Sequence, residues 1–400
     1  MKNFVLISPH FPETYYQFAR SLKKVGFRVL GIGDADLNSI SNNLRENLDE
    51  YVPCQNMENI ENEIKAVQYL ENKYGHIDYL ESNNEYWLHN DAILREWFNI
   101  RSGVWPKELE SWQRKSKMKE RFQQAGVKCA KWINPLRRED VYRFVEQVGY
   151  PLFIKPDIGV GAYGDFKITC AEDIENFFKE KATNVEYICE QYITGNIVSF
   201  DGICDEESNV VFMTSHFFPP SVADVVKENK EFFYYTLPEV PEDLKKAGKA
   251  IVKAFGLKKR FFHFEFFRLT QDIKDVGSVG EIVALEANMR TPGGYTPDMI
   301  NFANSIDCYD LYAETMMYGK PLTKDIYPHY YCGCASRRDM RKYKYSDNEI
   351  INKFSGILCM TGRYPDVLSG DMGNRYFMGK FSNKDDMIIF KDKVEMKNHE

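Results

Sequence analysis

No Cys-x-x-Cys pair occurs in this chain, although it holds nine cysteines. Cys332-Gly333-Cys334 is the one close pair, and no second pair stands near it at zinc-finger spacing. The odd number and the scatter through apolar runs argue against a disulfide-stapled secreted scaffold. They lead us to expect reduced thiols and a cytoplasmic protein. No apolar run approaches the roughly 20 residues that a spanning helix needs, so no membrane partner is expected. Phe4–Ile7 is too short for a signal-peptide core. Positive charge is not in excess: 52 Lys+Arg face 59 Asp+Glu, a net −7, which argues against general nucleic-acid binding. The first strand runs into Ser8-Pro9-His10-Phe11-Pro12 rather than a Gly-x-Gly-x-x-Gly turn, so a dinucleotide cradle is not expected. Internal repeats and low-complexity stretches are lacking too.

What is present is 400 residues, 44% hydrophobic and 14% aromatic, enough for two or three well-packed domains. Residues 281–294, Glu-Ile-Val-Ala-Leu-Glu-Ala-Asn-Met-Arg-Thr-Pro-Gly-Gly, carry the most information. Ile282–Leu285 reads as a buried strand that ends in Glu286, Asn288 and Arg290. Side chains two apart on an extended strand share a face. A carboxylate and an amide oxygen are hard donors suited to Mg²⁺ or Mn²⁺. A guanidinium beside them suits phosphoryl or carboxylate oxygens. Gly293-Gly294 then lets the backbone pass close to a ligand. The alternative is the polar face of a surface strand followed by a Pro-Gly turn.

Upstream, Phe4–Ile7, a helix over 14–24 and Val29–Gly33 open an α/β sheet. Strand 78–82 carries Asn83, Asn84 and Glu85 at its end, where ligands collect in such sheets, so Glu85 is a candidate substrate contact. Trp105-Pro106 marks a boundary. Leu152–Pro156 is a strand ending in Lys155, and it leads into a loop with Gly159, Gly161 and Gly164 before strand 166–168. A glycine loop between two strands differs from a P-loop, yet its bare N–H groups can fold over phosphate oxygens. Phe261–Arg268 alternates so that His263 and Glu265 share a face. Pairing it with Ile282–Ala287 across the loop 271–280 brings Glu265 beside Glu286 and Asn288. His263 is then either a substrate-facing base or a packed histidine. Residues 330–400 read as a small α+β lobe.

Taken in order, these parts resemble the ATP-grasp superfamily across nearly the whole chain. The likeness is nearest to stand-alone carboxylate–amine ligases of the L-amino acid ligase type. Carbamoyl phosphate synthase and biotin carboxylase stand further off. The resemblance implies an α/β and α+β fold: a pre-ATP-grasp domain over 1–108, an ATP-grasp domain over 109–320 and a C-terminal lobe over 321–400. The ATP-grasp domain divides into a lid, 109–189, and a central metal-binding sheet, 190–320.

The resemblance also implies roles. Lys115 and Lys155 contact ATP phosphates, although Lys117 and Lys119 stand close enough to Lys115 to leave the register open. Residues 159–164 form the flexible loop. Glu190-Gln191-Tyr192-Ile193 matches the hinge that holds adenine. Where relatives carry a ribose-binding glutamate this chain has Ile197, and Asp201 is the expected substitute. Glu265, Glu286 and Asn288 hold the cation. Arg290 steadies an acyl phosphate and, with Glu85, His263, Gly293 and Gly294, faces substrate. The implied reaction joins a small carboxylate to an amine at the expense of ATP, in a monomer or homodimer. The alternatives are a bicarbonate-using carboxylase or carbamoyl-phosphate-type enzyme, and a non-catalytic ATP-binding module.

Overall fold

A computed structural model describes residues 1–159, 164–219, 231–322 and 329–398. Among these residues three sheets organise the chain. The first holds β1 (Asn3–Ile7), β2 (Arg28–Gly33), β3 (Glu50–Pro53) and β4 (Tyr79–Glu81), all parallel, in the order β3-β2-β1-β4. Every residue of β1 is buried, as expected of a strand in a parallel sheet covered on both faces. Its core is not closed on itself. Phe18 of the first helix, Tyr16–Lys24, packs edge-on against Phe261, Tyr309 and Tyr312 at 4.8–5.9 Å. Glu81, at the end of β4, accepts from Arg260 and pairs with Arg95, each at 2.9 Å.

The second sheet falls in the segment expected to form the lid and holds β5 (Trp132–Ile133), β6 (Leu152–Pro156), β7 (Phe166–Ile168) and β8 (Tyr187–Gln191), antiparallel, in the order β5-β8-β6-β7. All of β8 belongs to this sheet, which extends through Gln191.

The third sheet is the largest, with nine strands among the described residues. Its centre is β9 (Gly195–Cys204), flanked by β13 (Arg260–Leu269) and, beyond that, β14 (Ile282–Asn288). On the other side β9 continues through β11 (His216–Phe218) and β12 (Phe233–Thr236), while β10 (Val210–Thr214) pairs with the far end of β9. The segment read as a separate C-terminal lobe instead extends this sheet. β15 (Tyr331–Arg337) pairs with β12, then β17 (Arg375–Phe381) and β16 (Leu358–Arg363) follow. A strand with an unpaired edge is satisfied by another strand, and β12 supplied that edge.

The two faces of β13 differ in kind. Phe262, Phe264 and Phe266 pack with Val198, Phe200, Ala284 and Ala287 into one core cluster. The other face carries His263 and Glu265. Ala284 and Ala287 are three apart yet share the core, because the β13–β14 register skips Leu285 between the Glu265↔Glu286 and Phe266↔Ala284 pairs. Such a bulge re-aims the side chains on one side of it.

Candidate active site

The helix Lys115–Gln124 supplies the first cations. Its N-terminus is held by Asp157, whose carboxylate accepts from the backbone N–H and the hydroxyl of Ser116, both at 2.8 Å. A carboxylate there also meets the positive end of the helix dipole. Asp157 lies just past β6, so this cap ties the helix to the strand that carries Lys155. Lys115 then extends along the lid. Its Nζ donates to the Gly159 carbonyl at 2.8 Å and stands 3.9 Å from Glu286 Oε1.

One helical turn further on, Lys119 is 1% exposed and pairs with Glu190 at 2.7 Å. Lys155 takes the other oxygen of Glu190 at 3.0 Å. Burial by itself would raise the Glu190 carboxyl, but the two ammonium groups overcome it and hold it down at about 2. Burial likewise pushes against a charged Lys155, yet Glu190 and Glu286 keep it above its ordinary value. Lys117 points away, pairing with Glu120. Lys115 is therefore the lysine of the three that reaches toward the central sheet, and Lys119 is a partner of Glu190 that the expected site did not contain. The spacing of four residues from Lys115, one face of a helix, was its available signal.

On the central sheet two rows cross β9, β13 and β14: Ser199–Glu265–Glu286 and Asp201–His263–Asn288. Glu265 and Glu286 are thus direct cross-strand neighbours, as expected, with Asn288 two residues further along β14, opposite His263. Two carboxylates opposite each other repel. A divalent cation between them removes that cost, and two carboxylates with an amide suit a hard ion. The residues fit Mg²⁺ or Mn²⁺ on those grounds. Among the described residues no group of three or more His, Cys, Asp and Glu forms a metal cluster, so the amide of Asn288 is needed to complete this one.

Arg290 lies beyond the end of β14 and donates from Nε to Glu85 at 2.9 Å, bridging the first sheet to the third. Burial raises the Glu85 carboxyl in spite of that guanidinium. Arg290 also donates to the Thr291 carbonyl, and the Thr291 hydroxyl bonds Tyr15 at 2.7 Å. Gly294 has φ +60°, in the left-handed region that favours glycine.

No family model matches the chain. It is 22% identical over 256 residues to the L-arginine-specific L-amino acid ligase of Bacillus subtilis, across 62% of this chain and 60% of that protein. The chain matches less than two thirds of the length of each of the first curated relatives. The crystal structure of an L-amino acid ligase from Bacillus licheniformis superposes with a TM-score of 0.73 at 16% identity, covering 98% of this chain and 97% of that one. This chain has the ATP-grasp fold. A biotin carboxylase domain from Hydrogenobacter thermophilus, solved with MgADP and bicarbonate, has the same ATP-grasp architecture. Its TM-score is 0.69 at 17% identity, over 95% of this chain and 86% of that one.

Within the ATP-grasp frame several expected residues sit differently from their reading. Asp201 does not face a ribose: it is fully buried, and its oxygens are taken by His263, His216 and Ser199. His263 offers no free nitrogen to an amine, because Nδ1 meets Asp201 and Nε2 meets Glu265 at 3.2 Å. Glu190 is engaged by lysines on both oxygens. At the hinge, the Gln191 N–H donates to the Lys131 carbonyl, the Lys167 ammonium lies 4.4 Å from the centre of the Tyr192 ring, and Ile193 is buried. Gly159 and Gly164 have φ of +139° and +83°; Gly161 lies outside the described residues. Gly293 has open space where a side chain would project. No helix among the described residues is long and apolar enough to cross a membrane.

Proposed function

We propose that this chain is an ATP-dependent ligase that joins a carboxylate to an amine through an acyl phosphate, acting on an amino acid or small peptide. The observation that carries the reading is the approach of Lys115, from the lid helix, to Glu286 of the Glu265–Glu286 pair. Phosphate-binding cations and a cation site then face one space, with Arg290 at its edge. The names of the similar proteins, L-amino acid ligases, support the substrate class. MgADP in the biotin carboxylase domain supports the nucleotide and the ion.

Glu265, Glu286 and Asn288 would hold Mg²⁺ or Mn²⁺, which when bound supplies charge neutralisation at the phosphoryl oxygens. Lys115 and Lys155 lower the repulsion between an incoming carboxylate and the triphosphate. A carboxylate oxygen bonds to the γ-phosphorus, the bridging P–O bond breaks and ADP leaves. The amine nitrogen then bonds to the acyl carbon, phosphate leaves and the amine gives up a proton. Arg290 neutralises the acyl phosphate, and Glu85 keeps the guanidinium in place. Glu190, which fixes Lys119 and Lys155, is a phosphate-site organiser, and Gln191–Ile193 present the backbone to adenine. Small-molecule substrates, a cytoplasmic setting and a monomer or homodimer complete the reading.

Phosphate release screened against pairs of amino acids and small carboxylates, with mass spectrometry of the product, tests it. Arg290→Ala is expected to abolish ligation while ATP still binds. Full activity in that variant contradicts the mechanism. The likeness to a biotin carboxylase domain carries a second reading, a bicarbonate-using enzyme. ATP hydrolysis stimulated by bicarbonate with no amine present favours it.

A further inference from the structure

We infer that Asp201, His263 and His216 form a buried array that presets the carboxylate of Glu265, and that His263 is a positioning residue acting through Glu265. The inference rests on the cation site proposed above. Asp201 and His216 are fully buried and His263 nearly so. Asp201 Oδ1 accepts from His263 Nδ1 at 2.5 Å, and Oδ2 accepts from His216 Nδ1 at 2.6 Å and from the Ser199 hydroxyl. The Ser199 hydroxyl is in turn fixed by the His216 backbone N–H at 3.0 Å. His263 is then left with one direction for Nε2, toward Glu265 Oε1 at 3.2 Å. Three strands, β9, β11 and β13, contribute side chains to this arrangement, so the imidazole plane cannot swing without breaking its bonds to Asp201 and Glu265.

Glu286 has no such support among the described residues. Its ion-pair partner there is Lys115 at 3.9 Å, on the helix Lys115–Gln124. The two carboxylates are therefore unequal: Glu265 is oriented before a cation arrives, and Glu286 is free to adjust to it. Imidazole held by a carboxylate on one side and holding a cation's carboxylate on the other is an outer-shell support, whose loss typically costs about 10–100-fold in metal affinity.

The test separates the two nitrogens of His263. His263→Gln places an amide N–H near the Nε2 position and keeps the bond to Glu265. His263→Asn keeps the bond to Asp201 and falls short of Glu265. Mn²⁺ binding is measured at saturating ADP by the electron paramagnetic resonance of free Mn²⁺, with the melting temperature of each variant as the control. His263→Asn is expected to weaken Mn²⁺ binding about 10–100-fold with little change in melting, and His263→Gln to retain most of the affinity. Should H263N not fold, D201N replaces it, with weaker Mn²⁺ binding again expected. Unchanged Mn²⁺ affinity in the variant that lacks the Glu265 bond, or equal loss in the Asn and Gln variants, overturns the inference alone. A wild-type protein that binds ADP but no Mn²⁺ overturns the cation site itself, and this inference with it.

Discussion

Glu190, between lid and central sheet, and Glu63, under the first sheet, are both buried, at 5% and 0% exposure. They ionise at opposite ends of the range. Glu190 is held at about 2 and Glu63 is pushed up to about 8. Burial raises both; what differs is the company. Glu190 has an ammonium on each oxygen, whereas Glu63 accepts one hydrogen bond, from the Asn90 amide at 2.7 Å, and its other oxygen has no partner. A buried acid is thus no marker of function until its neighbours are known. The one kept ionised fixes two lysines in place; the other is a cost borne by the first sheet.

Breaking the first member of the pair gives the largest effect. Glu190→Ala leaves Lys119 buried without a counter-charge, and chemical denaturation is expected to show a loss of about 3–5 kcal/mol. A loss no larger than that of a surface substitution refutes the clamp. Lys155→Met keeps the stem and removes the charge. Its expected signature is a fall in turnover of roughly 10²–10³-fold, with the fold retained by circular dichroism.

Glu63→Gln sharpens the comparison from the other side. The folded carboxyl near 8 lies above the unfolded value, so the folded protein keeps a proton that the unfolded chain releases. The stability it lends is full below about pH 4 and is lost as pH rises through about 8. The Gln variant lacks that slope and is expected to gain roughly 4 kcal/mol over wild type at pH 8 and nothing at pH 4, read from denaturation at the two values. An equal gain at both contradicts the assignment. Lys117→Ala is the smallest case. Lys117 and its partner Glu120 are both largely exposed, so stability should change by less than about 0.5 kcal/mol, with activity unaltered. A large loss of ATP turnover there reassigns the lid lysine.

The parts of the site that were legible in the sequence are those whose chemistry and period are local. The Phe261–Arg268 and Ile282–Ala287 runs were legible as the two strands of a hairpin with Glu265 near Glu286, although their direct pairing rests on the bulge between them. The strand that carries Lys155 was legible as a short apolar run. The bulge at Leu285 was not, because nothing in Ile-Val-Ala-Leu-Glu separates a regular strand from one that skips a residue. Nor was the bond from Asp157 to Ser116, or the pairing of Asp201 with two histidines, since each joins side chains whose distance along the chain carries no information. Asp201 and His263 were both singled out in the sequence, but their partners were not. The four residues of β3 are too few to show a period, and residues 330–400 read as a small lobe although β15–β17 extend the sheet that holds β9.

The sequence by itself determined which residues face one another along a single strand or hairpin, and thereby the chemical type of the site: hard oxygen donors, lysines and an arginine near bare glycines. Only the tertiary structure decided which buried acids keep their charge, which histidine is already engaged, and which of three neighbouring lysines reaches the carboxylates. The reason is physical. Periodicity is a property of consecutive residues, but ionisation and orientation depend on charges a few ångströms away, and β9, β13 and the lid bring those together from distant parts of the chain.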